Sequence, residues 1–149
     1  MKTKLLSLIT IPLLIISGNL LAGAKEDAFE KAFLNAHSTS DDALFSLVEF
    51  NEGTPEMFDE GLKGVLRGLR DKQIERVEFI EPKKEVSIDF EYEGVTYTST
   101  LPIQKVFEIY FMNPEVVKVG KETSQLKSGM LNLGLSEGQY RIAAIKPKK

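Results

Sequence analysis

The chain has 149 residues, a net charge of −3, one histidine and no cysteine. The missing cysteine excludes disulfides, thiol catalysis and thiolate metal sites, and a lone histidine is too few for the usual zinc centre. The acidic balance gives no general electrostatic reason to bind nucleic acid or anionic lipid.

Lys2 and Lys4 precede the apolar run Leu5–Ile16, and Leu20-Leu21-Ala22-Gly23-Ala24 follows. This charged, apolar, small-residue order predicts a secretory signal peptide over 1–24, with Ala22 and Ala24 set for cleavage before Lys25. The run falls short of the roughly 20 apolar residues of a comfortable membrane span, and Pro12 weakens it as a helix. An uncleaved anchor over Leu5–Ala24 is the alternative. The end of the segment also has the shape of a lipoprotein box, but Ala24 stands where the lipid-bearing cysteine must be. Cleavage removes two lysines and takes the net charge to −5. It leaves 25–149, the length of one domain, with a basic tail at 146–149. The expected location is periplasmic or extracellular, with no stable membrane span after cleavage.

Ala28, Phe29, Ala32, Phe33 and Ala36 recur at helical spacing and predict a first helix of about three turns. Ser38 to Asp42 supply capping residues for a short second helix through Ala43, Leu44, Leu47 and Val48. Thr54-Pro55-Glu56 predicts the start of a third, whose apolar stripe is Phe58, Leu62, Val65, Leu66 and Leu69. Gly61, Gly64 and Gly68 beside that stripe each cost up to ~1 kcal/mol of helix propensity, which predicts close approach of another element. Lys63, Arg67 and Arg70 read as a solvated face.

From Ile74 the period becomes two. Val86, Ile88, Phe90 and Tyr92 lead into Glu93-Gly94, and Val95, Tyr97, Ser99 and Leu101 lead out. A two-residue loop there sets Tyr92 against Val95 and Phe90 against Tyr97, keeping apolar residues on one face and polar ones on the other. Folding back across Glu81-Pro82-Lys83-Lys84 sets Phe79 beside Val86 and Val77 beside Ile88. Ile103–Phe111 predicts a further strand, Val116–Val119 a short one, and Tyr140–Ile145 a closing one after a turn at Glu137-Gly138. Lys121–Ser136, with weak periodicity, reads as irregular with a short helix around Ser124–Leu131.

Helices first and strands afterwards predict an α+β fold: three N-terminal helices on a curved antiparallel sheet of about five or six strands. Phe58, Leu62, Leu66, Phe90 and Tyr97 are the core candidates. This element order, the Pro55–Arg70 helix and the Tyr92-Glu93-Gly94-Val95 hairpin resemble the nuclear transport factor two-like, cone-shaped fold over Asp27–Ile145. The stretches Tyr97–Pro102 and Gly138–Ala144 also resemble small exported bacterial proteins of uncharacterised function. Neither resemblance implies an activity, because the cone-shaped fold hosts enzymes, binding modules and assembly domains.

No catalytic, metal or cofactor set emerges. His37 lies among Ser38, Ser40, Asp41 and Asp42 at a helix end, a place the helix dipole favours for a cation. Asp41, Asp42, Glu49, Glu52 and Glu56 lack the spacing of a calcium loop. Asp89 falls on the strand face opposite Tyr92 and Tyr97, which separates a carboxylate base from phenolic donors. The glycines at 61, 64 and 68 lie inside a helix and form no phosphate loop. Tyr92, Tyr97, Tyr110 and Tyr140 are the candidate lining of a pocket for an apolar molecule. The function expected is a non-catalytic envelope domain binding a partner protein or a small apolar ligand. The alternatives are a small cone-fold isomerase, dehydratase or hydrolase, and a homodimer assembled through the sheet.

Overall fold

A computed structural model describes residues 13–83 and 88–149, with side chains from residue 23 onward. Helix α1 spans Leu13–Thr39, so it begins within the predicted leader and not after Lys25. None of residues 23–28 is buried. Phe29, Phe33 and Ala36, one and two turns apart, form its buried stripe. Ser40 then adopts an extended backbone and its hydroxyl accepts from the Ala43 N–H at 3.1 Å, opening α2, Asp41–Phe45. This second helix has only five residues, and a two-residue strand β1, Val48–Glu49, follows it.

Helix α3, Glu56–Arg70, turns Leu66 and Leu69 into the core with Leu62 packed against it. Val65 is exposed instead, so the apolar stripe is narrower than its spacing implied. Pro55 takes the cap position, and the Thr54 hydroxyl donates to the Ile145 carbonyl at 2.8 Å, tying the loop to the C-terminal strand. The cations of α3 bind it to α2: Arg70 meets Asp41 at 2.9 Å, and Lys63 and Arg67 lie over the Phe45 ring.

The strands are β2 (Ile74–Ile80), β3 (Phe90–Tyr92), β4 (Val95–Ser99), β5 (Lys105–Val119), β6 (Glu122–Ser136), β7 (Gln139–Ala143) and β8 (Ile145–Pro147). They form two sheets, of order β1-β7-β6-β5-β2 and β3-β4-β8. The expected single antiparallel sheet is corrected on two counts. Val48 pairs with Ile142 in parallel, which makes the larger sheet mixed. The chain also passes from one sheet to the other at Ala144, between β7 and β8.

The hairpin at Glu93-Gly94 has the read register, Phe90 on Tyr97, Glu91 on Thr96 and Tyr92 on Val95. Both loop residues have positive φ, 50° and 76°, as the first primed hairpin turn requires. Glu137-Gly138 repeats this with 50° and 77°. Val77 and Phe79 pair elsewhere than expected, with Ile109 and Phe107 on β5. Ile88 lies outside any strand, and Val86 lies outside the described residues. The longer apolar strand wins because it puts Phe79 against Phe107 at 5.0 Å between ring centres.

The stretch 121–136 is neither irregular nor helical. Strand β6 pairs with β5 across Gly120-Lys121, with Val119 opposite Glu122 and Gly120 at φ 63°. The close-approach glycines are also not those of α3, since a Cβ on Gly61, Gly64 or Gly68 would meet nothing within 4 Å. They are Gly129, where a Cβ would lie 2.9 Å from Leu69 Cδ2, and Gly134, where it would lie 2.5 Å from Leu101 Cβ.

The core fills the space between α1, α3 and the inner face of the larger sheet. Phe107 is its hub, with Phe29, Phe33 and Phe79 ring centres at 5.0–5.1 Å. Ile109, Leu133, Ile142, Leu44 and Leu66 close it. Each such side chain contributes about 1.5–3 kcal/mol on burial. Phe58, Phe90 and Tyr97, expected in this core, form a smaller cluster on the second sheet, with Phe58 at 5.4 Å from Tyr92 and 5.0 Å from Tyr97.

Candidate functional site

Paired residues of an antiparallel sheet share a face and successive residues alternate, so the face opposite the core follows from the register. Ile80, Val106 and Asn132 form one row, Glu78, Glu108 and Met130 the next, and Arg76, Tyr110 and Ser128 the third. Leu101 and Pro102 cover this outer face near Gly134. In the other rows Met130 is 62% exposed.

Glu108 is the buried charged residue of this face, 8% exposed. Two carboxylates directly opposite each other repel, and Glu78 faces Glu108. The neighbouring donors offset this. Ser128 donates to Glu108 Oε1 at 2.7 Å and Tyr110 to Oε2 at 2.8 Å. Arg76 pairs with Glu78, and its guanidinium lies 3.5 Å from the Tyr110 ring centre. The Ser128 hydroxyl, then that of Tyr110, hold the Glu108 carboxyl below its usual range, and the same contact pushes the Tyr110 phenol up.

Beyond Tyr110 the β5–β6 pair continues as a two-stranded ribbon. Four residues of β5, from Phe111 to Pro114, stand against Lys127 alone before pairing resumes at Glu115 and Leu126. This bulge, Pro114 and the Lys118 side chain are devices that discourage another strand from adding at an edge. The faces carry apolar side chains instead: Leu126 and Val119 on the outer-face rows are 45% and 70% exposed, and Val116 behind them is exposed too.

The four tyrosines proposed for a pocket are not gathered. Tyr92 and Tyr97 touch Phe58, Tyr110 stands on the outer face, and Tyr140 packs near Phe79 at 6.4 Å. The charge of Glu93 pushes the Tyr92 phenol up, whereas burial does so for Tyr140. An open concavity of about 290 Å³ is lined by Glu49, Ser136, Glu137, Gln139 and Arg141, and a wider one by residues of α1 between Ala24 and Leu34. Neither includes a tyrosine. His37 joins two helices, its Nε2 donating to the Leu69 carbonyl at 3.0 Å. Asp89 pairs with Lys148, and Asp41 and Glu49 are held by Arg70 and Arg141.

Of the proposed cleavage residues, Ala22, Ala24 and Lys25 all lie within α1. Among the described residues no helix is long and apolar enough to cross a membrane, and no three acidic or histidine side chains converge as a metal site. Sequence reading missed Glu108, because a glutamate alternating with Phe107 and Ile109 reads as an ordinary wet-face residue. It also missed Asp59, whose Oδ1 is buried without a hydrogen bond and whose carboxyl burial pushes up. Its place one turn before Leu62 and two before Leu66 on the inward stripe of α3 was the available signal. No family model matches the chain, and no curated protein or solved structure matches it.

Proposed function

We propose that this is an exported, non-catalytic domain of the cell envelope that binds a partner protein through the outer face of its larger sheet and the ribbon extending from it. The observation that carries this is the set of exposed apolar side chains, Met130, Leu126 and Val119, along rows that no layer of the described residues covers. Such patches on soluble domains mark interaction surfaces. The core-facing side of the larger sheet, where a cone-shaped fold would hold a small apolar ligand, is occupied by Phe29, Phe33 and Phe107. This favours the partner-protein form of the reading.

Export rests on the charged, apolar and small-residue order of 1–24, with cleavage before Lys25 and an uncleaved anchor as the competing arrangement. Cleavage there spares the core, which starts at Phe29, and the pairing of Glu26 with Lys105 at 3.1 Å. Kinship with the nuclear transport factor two-like fold rests on element order, helix α3 and the Glu93-Gly94 hairpin.

A photo-reactive residue at Val119, combined with intact mass measurement of the envelope fraction, tests the proposal. A mass beginning at Lys25 and a cross-link to a second protein support it. A cytoplasmic, uncleaved chain without cross-links would sink it. Asp59 favours a second reading, a small cone-fold enzyme, because a partly desolvated carboxyl is what a general base or acid needs. Turnover of a substrate by the purified protein, lost in Asp59→Asn with folding intact, is the outcome that would establish it.

A further inference from the structure

The charges on the outer face are unevenly divided. Along β2, β5 and β6 it carries Glu78, Glu108, Glu115 and Glu122 but only Arg76 as a cation. Lys72, from the loop before β2, reaches Glu115 and neutralises it. Arg76 remains the guanidinium beside both Glu78 and Glu108, so the polar centre keeps a net negative charge. Around that centre stand Ile80, Val106, Met130 and Leu126. The opposite face of the ribbon has the reverse character, with Lys118 and Lys127 beside Val116, Thr123 and Gln125.

Resting on the partner-protein reading above, we propose that the outer face receives an arginine or lysine of a partner protein, set among apolar residues, which docks against the exposed Glu78 carboxylate beside Arg76, with Met130 and Leu126 covered around it. An acidic centre inside an apolar rim selects that chemistry, since the partner's cation completes a charge pairing that Arg76 alone leaves short. A second copy packed face to face brings two acidic centres together, because a two-fold contact presents the same patch from both sides. A second copy offering Lys118 and Lys127 instead binds head to tail, which gives an open chain or ring rather than a closed pair.

The test places benzoyl-phenylalanine at Met130 in the full-length protein in its own cells, then maps the cross-linked residue of the partner by mass spectrometry. The expected adduct lies on a partner segment with an arginine or lysine flanked by apolar residues. Its yield should fall at least about tenfold in Glu78→Gln and comparably when the envelope is washed in high salt. Glu122→Gln, on the exposed ribbon away from Arg76, serves as a second variant and should lower the yield less. An adduct on a neutral or acidic segment, with yield unchanged in both variants, overturns this inference and leaves the binding reading standing. Adducts only to the chain itself, or none at all, overturn both.

Discussion

The two ends of the β5–β6 hairpin use the same pairing for opposite purposes. At the base, Lys105–Phe111 is flanked by β2 and β6, and Phe107, Ile109 and Phe111 are buried under α1 and α3. At the tip, Val116–Val119 has only β6 beside it, and Val116 and Val119 are exposed. A strand's apolar residues thus acquire a core only where a third strand and a covering layer arrive together. A two-stranded ribbon alone is marginal in water, so the tip borrows its order from the base.

The base is the part most sensitive to substitution. Phe107→Ala removes the ring shared by Phe29, Phe33 and Phe79 and should cost about 3–5 kcal/mol, read as a large drop in the urea midpoint. Against a typical total stability of about 5–15 kcal/mol, that loss leaves the domain close to unfolding. Gly134→Ala follows, at about 1–3 kcal/mol, because its Cβ would meet the Pro102 carbonyl oxygen at 2.6 Å, and backbone yields little. Gly61→Ala, with nothing within 4 Å, should stabilise by up to ~1 kcal/mol in the same melts.

Acid sharpens the contrast on the outer face. The folded Glu108 carboxyl titrates below its unfolded value, so its stabilisation is fully present above the ordinary glutamate range. It is lost as pH falls through the lower, folded value. The stability gap between the parent and Glu108→Gln should therefore be wide at neutral pH and close in acid, measured by denaturant titration across that range. The smallest effect belongs to the tip: Leu126→Ser and Val119→Ser should each change stability by no more than about 0.5 kcal/mol. Amide exchange between Glu115 and Leu126 should be faster than across Phe107 and Ile109 in both variants.

Legibility in the sequence followed the same division. The Glu93-Gly94 hairpin could be read residue by residue because its turn and its alternation agree locally. Helix α3 was readable for a like reason, as Leu62, Leu66 and Leu69 recur on one side. Strand β6 could not be read that way. Glu122 to Leu126 are exposed on both faces, so no period-two pattern marks them. The β2–β5 pairing was hidden because sequence proximity favours Ile88 as the partner of Val77, while burial of Phe79 against Phe107 decides the outcome. The parallel contact of Val48 with Ile142 has no local signature either. Within the candidate site, the tyrosines announced themselves by type. Glu108 did not, since its burial depends on Ser128, 20 residues away on the neighbouring strand.

One consequence of the passage at Ala144 concerns the order in which the chain can settle during synthesis. Strand β7 lies between β1 and β6 in the larger sheet, and β8 completes the smaller one, so neither sheet is whole until residues 139–147 are made. The Thr54 hydroxyl, early in the chain, likewise waits for the Ile145 carbonyl. While the ribosomal exit tunnel still shields β7 and β8, the chain is therefore unable to lock. The delay is written into the strand order itself.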